Sequence, residues 1–314
     1  MNIIKSFCKE FNIPLSNFET YVSNASGRIK KAKMPKKGGG SRNIIIPSWE
    51  IKIIQYWTIL YYLKKLPSSK FATAYYKGSC ILKNASQHTG GNYFLKVDIK
   101  SFFPSLTANM FIFELEKDHK EKPDDTIIKD LLEATNNEYF INALFYKGVC
   151  VIGYPSSPYM ANYILKDFDE EIYNKLRAIS QKLGEFYFTR YADDITVSCE
   201  KKGNKKLIYN IIKDTLFDKF DGKLELNSDK TKSSTKKGGS TKITGITICS
   251  DGRMTLHRKY KDHVRLLLSL YKKNILPEED SISIPGHLNY IKSIDYLFFN
   301  RLYEKYREQI KKLI

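Results

Sequence analysis

Apolar residues recur at helical spacing from the start of the chain. Ile3, Ile4, Phe7 and Phe11 fall on one face, and Pro14 ends the run, so short helices are expected through residue 34. Residues 35–43, PKKGGGSRN, break the pattern with charge and glycine. They read as a basic tip between strands, followed by the β-branched run 43–47. The helical period returns over 49–66, with Ile53, Ile54, Trp57, Leu60 and Tyr61 as the expected buried positions. Residues 93–99, YFLKVDI, read as a strand, and 106–135 and 158–183 read as helices. The second of these helices has a start signal: Ser156 or Ser157 as cap and Pro158 in the first turn. Met160, Ile164, Leu165, Phe168 and Ile172 then trace one face. Residues 185–199 read as two strands around a tight acidic turn, and runs 242–249 and 253–257 flank Ser250-Asp251-Gly252, a hairpin signal. The rest reads as helix, interrupted near Pro277 and near Pro285-Gly286. No fixed-period repeat is visible, which excludes solenoids and propellers.

Composition narrows the class. With 314 residues, 42% hydrophobic and 13% aromatic, the chain can bury a sizeable core in one lobed body, and global disorder is excluded. The longest apolar run, 53–63, is interrupted by Gln55 and Thr58 and is shorter than the ~20 residues a bilayer needs. Lys9 and Glu10 sit where a signal peptide needs unbroken apolar residues. Cysteines at 8, 80, 150, 199 and 249 have no CxxC spacing and read as reduced thiols, so a cytoplasmic, membrane-free protein is expected.

Charge adds the first functional clue. The net charge is +18, distributed unevenly. Residues 1–90 carry 15 Lys and Arg against 3 acids, 91–250 carry 24 against 23, and 251–314 carry 13 against 8. Basic flanks around a neutral middle fit a polyanion-binding protein with a carboxylate site.

Two acidic doublets stand in different settings. Asp124-Asp125 lies in a polar stretch and reads as solvated loop, whereas Asp193-Asp194 lies between FYFTRY and ITVSC, at the tip of a hairpin of apolar strands. Adjacent carboxylates there repel unless a cation is present, and Mg²⁺ takes a few hard oxygen ligands. Asp98 ends an otherwise apolar strand and is the natural third acid, its bland alternative being a pair with Lys96 or Lys100. Carboxylates on neighbouring strands can hold two divalent ions roughly 3.5–4 Å apart, the arrangement that activates a hydroxyl for in-line displacement.

YADD together with Asp98 resembles the palm of reverse transcriptases, and further stretches resemble that family in order. IGYPSSPYMAN is similar to its QGxPxSP segment, LNSDKTK to its lysine-bearing motif, and KITGITI to the V-T-G triplet near the primer grip. KNASQH, DIKSFFPSLT and GHLNYIKSID resemble bacterial retron reverse transcriptases in particular, and the likeness spans about residues 28–295.

The resemblance implies an α+β right-hand polymerase: fingers over 1–92, palm strand over 93–109, a fingers/palm insertion over 110–150, palm with primer grip over 151–250, and thumb over 251–314. It implies Asp98, Asp193 and Asp194 as catalytic metal ligands, with the Ile99 carbonyl added, for two Mg²⁺ ions, Mn²⁺ being an alternative. Lys230 matches the lysine that faces the leaving pyrophosphate. Arg42 matches a triphosphate clamp, with Lys36 and Lys37 as lesser candidates. Phe103 matches an aromatic beneath the sugar, or else is simple core, and Gly153 and Pro155 shape the loop under the nucleotide. Ile152 and Tyr154 depart from the family's Gln and small residue. Asn84, His88, Thr244 and Gly245 are carried over as RNA or primer contacts, Asn84 and His88 with the alternative that they only brace the fold. Tyr260, Lys261 and Arg265 are expected on one basic thumb face toward RNA.

The implied reaction is RNA-templated DNA synthesis from dNTPs. The implied partners are a cognate non-coding RNA, serving as template and primer, the DNA product, and an effector protein in antiphage defence. A reverse transcriptase of another lineage, or a non-catalytic RNA-binding scaffold, are the alternatives.

Overall fold

The computed structural model describes residues 2–35 and 39–314, so Lys36 and Lys37 lie outside the described residues. Three antiparallel sheets organise the chain. Strands β1 (Lys30–Pro35) and β2 (Ser41–Ile46) form a hairpin with Lys30 opposite Ile46. The helical expectation therefore fails at 30–35. That segment is exposed along nearly its whole length, and pairing with β2, not burial, makes it a strand.

Strands β3 (Tyr93–Asp98), β4 (Phe186–Tyr191), β5 (Asp194–Cys199) and β6 (Lys232–Thr235) form the central sheet in the order β4-β5-β3-β6. The helices Lys166–Ala178 and Lys205–Phe220 pack on each other, and the second also meets β3. The third sheet is β7 (Ser240–Ile243), β8 (Ile246–Cys249) and β9 (Met254–Thr255). The run 242–249, expected as one strand, is thus itself a hairpin, reversed at Thr244 and Gly245, which both have left-handed backbones with φ 44° and 94°.

Helix boundaries moved for identifiable reasons. The segment 106–135 splits into Ala108–Glu121 and Thr126–Ala134 around Pro123, and Asp125 caps the second helix by accepting the N–H groups of Ile127 and Ile128. One acid of the apparently idle doublet is therefore a cap. Ser156 and Ser157 do not cap: Ser156 Oγ donates to the Leu144 carbonyl at 3.1 Å and Ser157 Oγ accepts from Val151 N–H at 3.0 Å, locking the preceding loop. The helix there breaks after Ile164 and again after Ala178. Leu60 and Tyr61 face outward from the helix Trp49–Tyr61, whose buried side uses Ile51, Ile54 and Trp57. The break expected near Pro285 falls at 282–283, and Pro285 sits in the first turn of the helix Ile284–Ile294 that follows.

Two cores result. The first runs from Ile3 to Leu224, through the N-terminal helices and the central sheet. The second joins the β7–β9 sheet to the C-terminal helices and takes Ala85 and Phe94 from the earlier chain. Among the described residues no helix is long and apolar enough to cross a membrane.

One buried ion pair ties the central sheet to its helices. Arg190, fully buried in β4, donates from Nε and Nη2 to the two carboxylate oxygens of Asp169, both at 2.7 Å. Its Nη1 donates to Asn162 Oδ1 at 3.2 Å and to the Ala192 carbonyl at 3.3 Å. Removing one partner strands a charge away from water, so Asp169→Ala should lower unfolding free energy by about 3–5 kcal/mol. Urea midpoints measure this. A loss below about 1 kcal/mol would show that Arg190 finds other compensation.

Candidate active site

The β4–β5 hairpin turns through Ala192 and Asp193, and Ala192 carries the left-handed backbone (φ 58°) that so tight a reversal requires. On the neighbouring strand Asp98 stands directly opposite Asp194 in the antiparallel register. Ile99 N–H donates to the Asp193 carbonyl at 3.0 Å, fixing the tip of the hairpin against the end of β3. No hydrogen bond from the described residues reaches the Ile99 carbonyl. The three aspartates and Ile99 are thus brought together by adjacent strands of one sheet.

Their electrostatics are strained. Burial, then the charges of Asp194 and Asp98, push the Asp193 carboxyl up to about 6. Desolvation and the Asp98 charge also raise Asp194, against the pull of Lys230 and Lys96. Asp98 is buried and pairs with Lys230, whose ammonium donates to both carboxylate oxygens at 2.9 Å. Lys96 and Lys100 do not pair with it: Lys100 binds Glu225 at 3.3 Å, and Lys96 donates to the Lys242 carbonyl. Among the described residues no three acidic, histidine or cysteine side chains already converge as a ligand set. The donor chemistry nevertheless fits a hard divalent cation: carboxylate oxygens gathered where two paired strands meet a turn.

The other expected nucleotide contacts lie on the first hairpin, on the loop it docks against and on the segment after β3. Ile45 N–H of β2 donates to the Ile152 carbonyl at 2.9 Å, which docks the first hairpin on the loop before the helix Ser157–Ile164. Gly153 is required there. Its φ is 112°, and a Cβ would lie 2.1 Å from the Ile45 carbonyl oxygen. Arg42 is exposed on the same β2 strand, and Pro155 follows in the loop. Tyr154 is buried against Tyr146, so that departure from the family pattern is absorbed by the core.

Phe103 is half-buried, its ring 5.3 Å from Phe102 and 6.2 Å from Tyr75. Tyr75 was not singled out from the sequence. It has a left-handed backbone (φ 73°), follows a carbonyl held by Asn162 Nδ2 at 2.8 Å, and feels both Asp193 and Arg42. Burial first, then the Asp193 charge, push its hydroxyl up to about 12. Lys96, Lys232 and Lys242 were also missed as a group. Desolvation lowers Lys96, and its two lysine neighbours lower it further. The strand register sets Lys96 opposite Lys232, and the charges of Lys242 and Asp194 also reach it.

Four expected RNA contacts are placed elsewhere. Asn84 and His88 are buried at 1% and 0% exposure, so neither reaches RNA directly. His88 sits between Ser198 Oγ and Thr189 Oγ1, each at 2.8 Å, and stitches β5 to β4. Tyr260 bonds His287 Nδ1 at 2.8 Å. Lys261 is held by Asp295 at 2.5 Å and Thr255 at 2.6 Å. Their polar groups are consumed inside the C-terminal lobe. Arg265 is more exposed, beside Asp262 and with its guanidinium 4.7 Å from the Phe298 ring. Thr244 and Gly245 do lie at a hairpin tip, Gly245 exposed.

A carboxylate-tipped hairpin facing a third acid on a central antiparallel sheet, between two lobes, is the palm of a right-hand nucleic-acid polymerase. A family model described as reverse transcriptase (RNA-dependent DNA polymerase) matches residues 34–267. Retron Ec73 reverse transcriptase from Escherichia coli is 38% identical over 298 residues, covering 94% of this chain and 92% of that protein. Retron Ec83 reverse transcriptase, also from Escherichia coli, is 30% identical over 294 residues, covering 93% and 91%. Among solved structures, apo telomerase from Candida tropicalis shares the fold at a TM-score of 0.52 and 11% identity, over 90% of this chain and 58% of that one. The chain belongs to the reverse transcriptase family and groups within it with the bacterial retron enzymes.

His88 supplies a pH test of the palm. Burial pushes its pKa down from 6.5 to about 3, so the folded imidazole stays neutral while the unfolded one takes up a proton. Its contribution to stability is complete above about pH 6.5 and is lost as pH falls toward 3. His88→Gln should flatten that part of the stability–pH curve, measured by urea midpoints. An unaltered slope would assign acid sensitivity to other groups.

Proposed function

We propose that this reverse transcriptase copies a cognate structured non-coding RNA into small single-stranded multicopy DNA, primed from a guanosine 2′-hydroxyl. We further assign it to antiphage defence with an effector protein encoded nearby. The observation that carries the catalytic part is the meeting of Asp98, Asp193 and Asp194 across two paired strands in a chain of this family. The retron likeness over nearly the whole chain supports the rest. In this reading 1–92 act as fingers, 110–150 as a fingers/palm insertion, 93–109 and 151–250 as palm, and 251–314 as thumb.

Asp98, Asp193, Asp194 and the Ile99 carbonyl are the groups that would hold Mg²⁺, or Mn²⁺ in its place. A bound pair supplies the Lewis acidity that activates a hydroxyl nucleophile and stabilises the leaving oxygen. The chain's own residues do the remainder. Arg42 offers a planar fork to the triphosphate. Phe103 sets a flat ring beneath the sugar, where a 2′-hydroxyl would clash. Gly153 and Pro155 shape the loop under the nucleotide. Lys230, already on Asp98, brings a mobile cation to the departing pyrophosphate. The lysines around Lys96 and the Thr244 tip support the primer and RNA backbone.

Asp98→Asn and Asp193→Asn should each cut primer extension by more than about 100-fold. RNA affinity should be largely kept, because its electrostatic part comes from the basic flanks and falls with salt. Near-normal extension by either variant would refute the metal-ligand roles. Phe103→Ala or Phe103→Val should weaken the preference for dNTP over rNTP by about tenfold, a difference worth about 1.4 kcal/mol. The check is competitive incorporation on one RNA template. An unchanged preference in a folded variant would leave Phe103 as core.

A further inference from the structure

Thr244 is an unusual residue to find in a left-handed turn. Its φ is 44°, and β-branched side chains rarely adopt that region, whereas Gly245 beside it accepts φ 94° without cost. A residue in that conformation persists only where its surroundings over-determine it. The surroundings here are specific. Thr244 Oγ1 accepts a hydrogen bond from Asn84 Nδ2 at 3.2 Å and donates to the Ile81 carbonyl at 3.4 Å.

Asn84 is itself fully engaged. Its Oδ1 accepts from Thr73 Oγ1 at 2.8 Å, and Thr73 N–H donates to the Arg190 carbonyl at 2.8 Å. Two side chains therefore connect the tip of the β7–β8 hairpin to β4, the strand that leads into the catalytic turn and whose Arg190 also grips the Ala192 carbonyl.

We propose that Asn84 is a positioning residue: it holds Thr244 in its left-handed conformation and sets the hairpin tip at a fixed distance from the aspartates. This rests on the reading above that the tip supports the primer or folded RNA. A reacting hydroxyl displaced by about 1 Å can lose about 100-fold in rate, so the tip has to be indexed to the carboxylates and not merely folded.

The test uses the turn's own strain. Asn84→Leu keeps the branched four-atom skeleton but removes the clamp, and Thr244→Val keeps the β-branch but removes the hydroxyl. Either should lower kcat for primer extension about tenfold or more, with KM for dNTP little changed. Thr244→Gly removes the need for the clamp, since glycine accepts the turn unaided. In the Thr244→Gly background the clamp has nothing to hold, so adding Asn84→Leu there should change kcat by less than about threefold, whatever the rate of Thr244→Gly itself. A loss from Asn84→Leu as large in the Thr244→Gly background as in the wild type would overturn the proposal and return Asn84 to a core brace. Amide hydrogen exchange over 243–246 reads the turn independently of activity. Exchange that accelerates in Asn84→Leu, but not when Asn84→Leu is added to Thr244→Gly, supports the clamp even when extension is unaffected, and that combination would refute instead the assignment of the tip to primer or RNA. Exchange unchanged in Asn84→Leu would overturn the clamp. Thr244→Val, which leaves the Asn84 core contacts in place, serves if Asn84→Leu fails to fold.

Discussion

A guanidinium without water must find all its partners within the protein, and the placement of Arg190 follows from that requirement. Two of its nitrogens are taken by Asp169 on the helix Lys166–Ala178, and the third reaches Asn162 and the Ala192 carbonyl. Asn162 in turn holds the Ala74 carbonyl, while the backbone of Arg190 pairs with Phe71 and Thr73. The helix, the Ala192–Asp193 turn and the segment leading to Tyr75 are therefore fastened at one side chain. A planar donor set suits this work in a way that a lysine ammonium would not. The turn needs such a hold, because Ala192 sits in a conformation that alanine does not favour and Asp193 next to it is short of counter-charge.

What the sequence revealed and what it hid divide along physical lines. The β4–β5 hairpin was legible because its signal is local: apolar runs on either side of two acids. Asp98 was legible because it is the one acid in the strand run YFLKVDI. The hairpin at Thr244 reads from the sequence as one strand, since KITGITI alternates well enough to hide a reversal whose first left-handed residue is a threonine. The partner of Arg190 lies 21 positions away on a helix with several acids, and nothing local marks Asp169 among them. Charge in the C-terminal lobe misled for the same reason. Lys261 looks like a phosphate contact until Asp295, remote in sequence, is seen beside it. Asn84 and His88 were identifiable as a pattern, but whether a polar side chain faces a ligand or a neighbouring strand is settled only by packing.

The boundary between the two cores carries a practical meaning. Phe94 belongs to the core of the C-terminal lobe while its neighbour Leu95, on the same strand, belongs to the other. Ala85 crosses in the same way from the helix that bears Asn84. The lobes are therefore not interchangeable parts joined at a linker. A chimera spliced at residue 251 would bring in a foreign lobe without the floor it packs on, leaving an aromatic ring from β3 facing a surface never shaped to receive it. Recombination between such enzymes has to exchange the 81–95 segment together with everything beyond 240, or leave both in place.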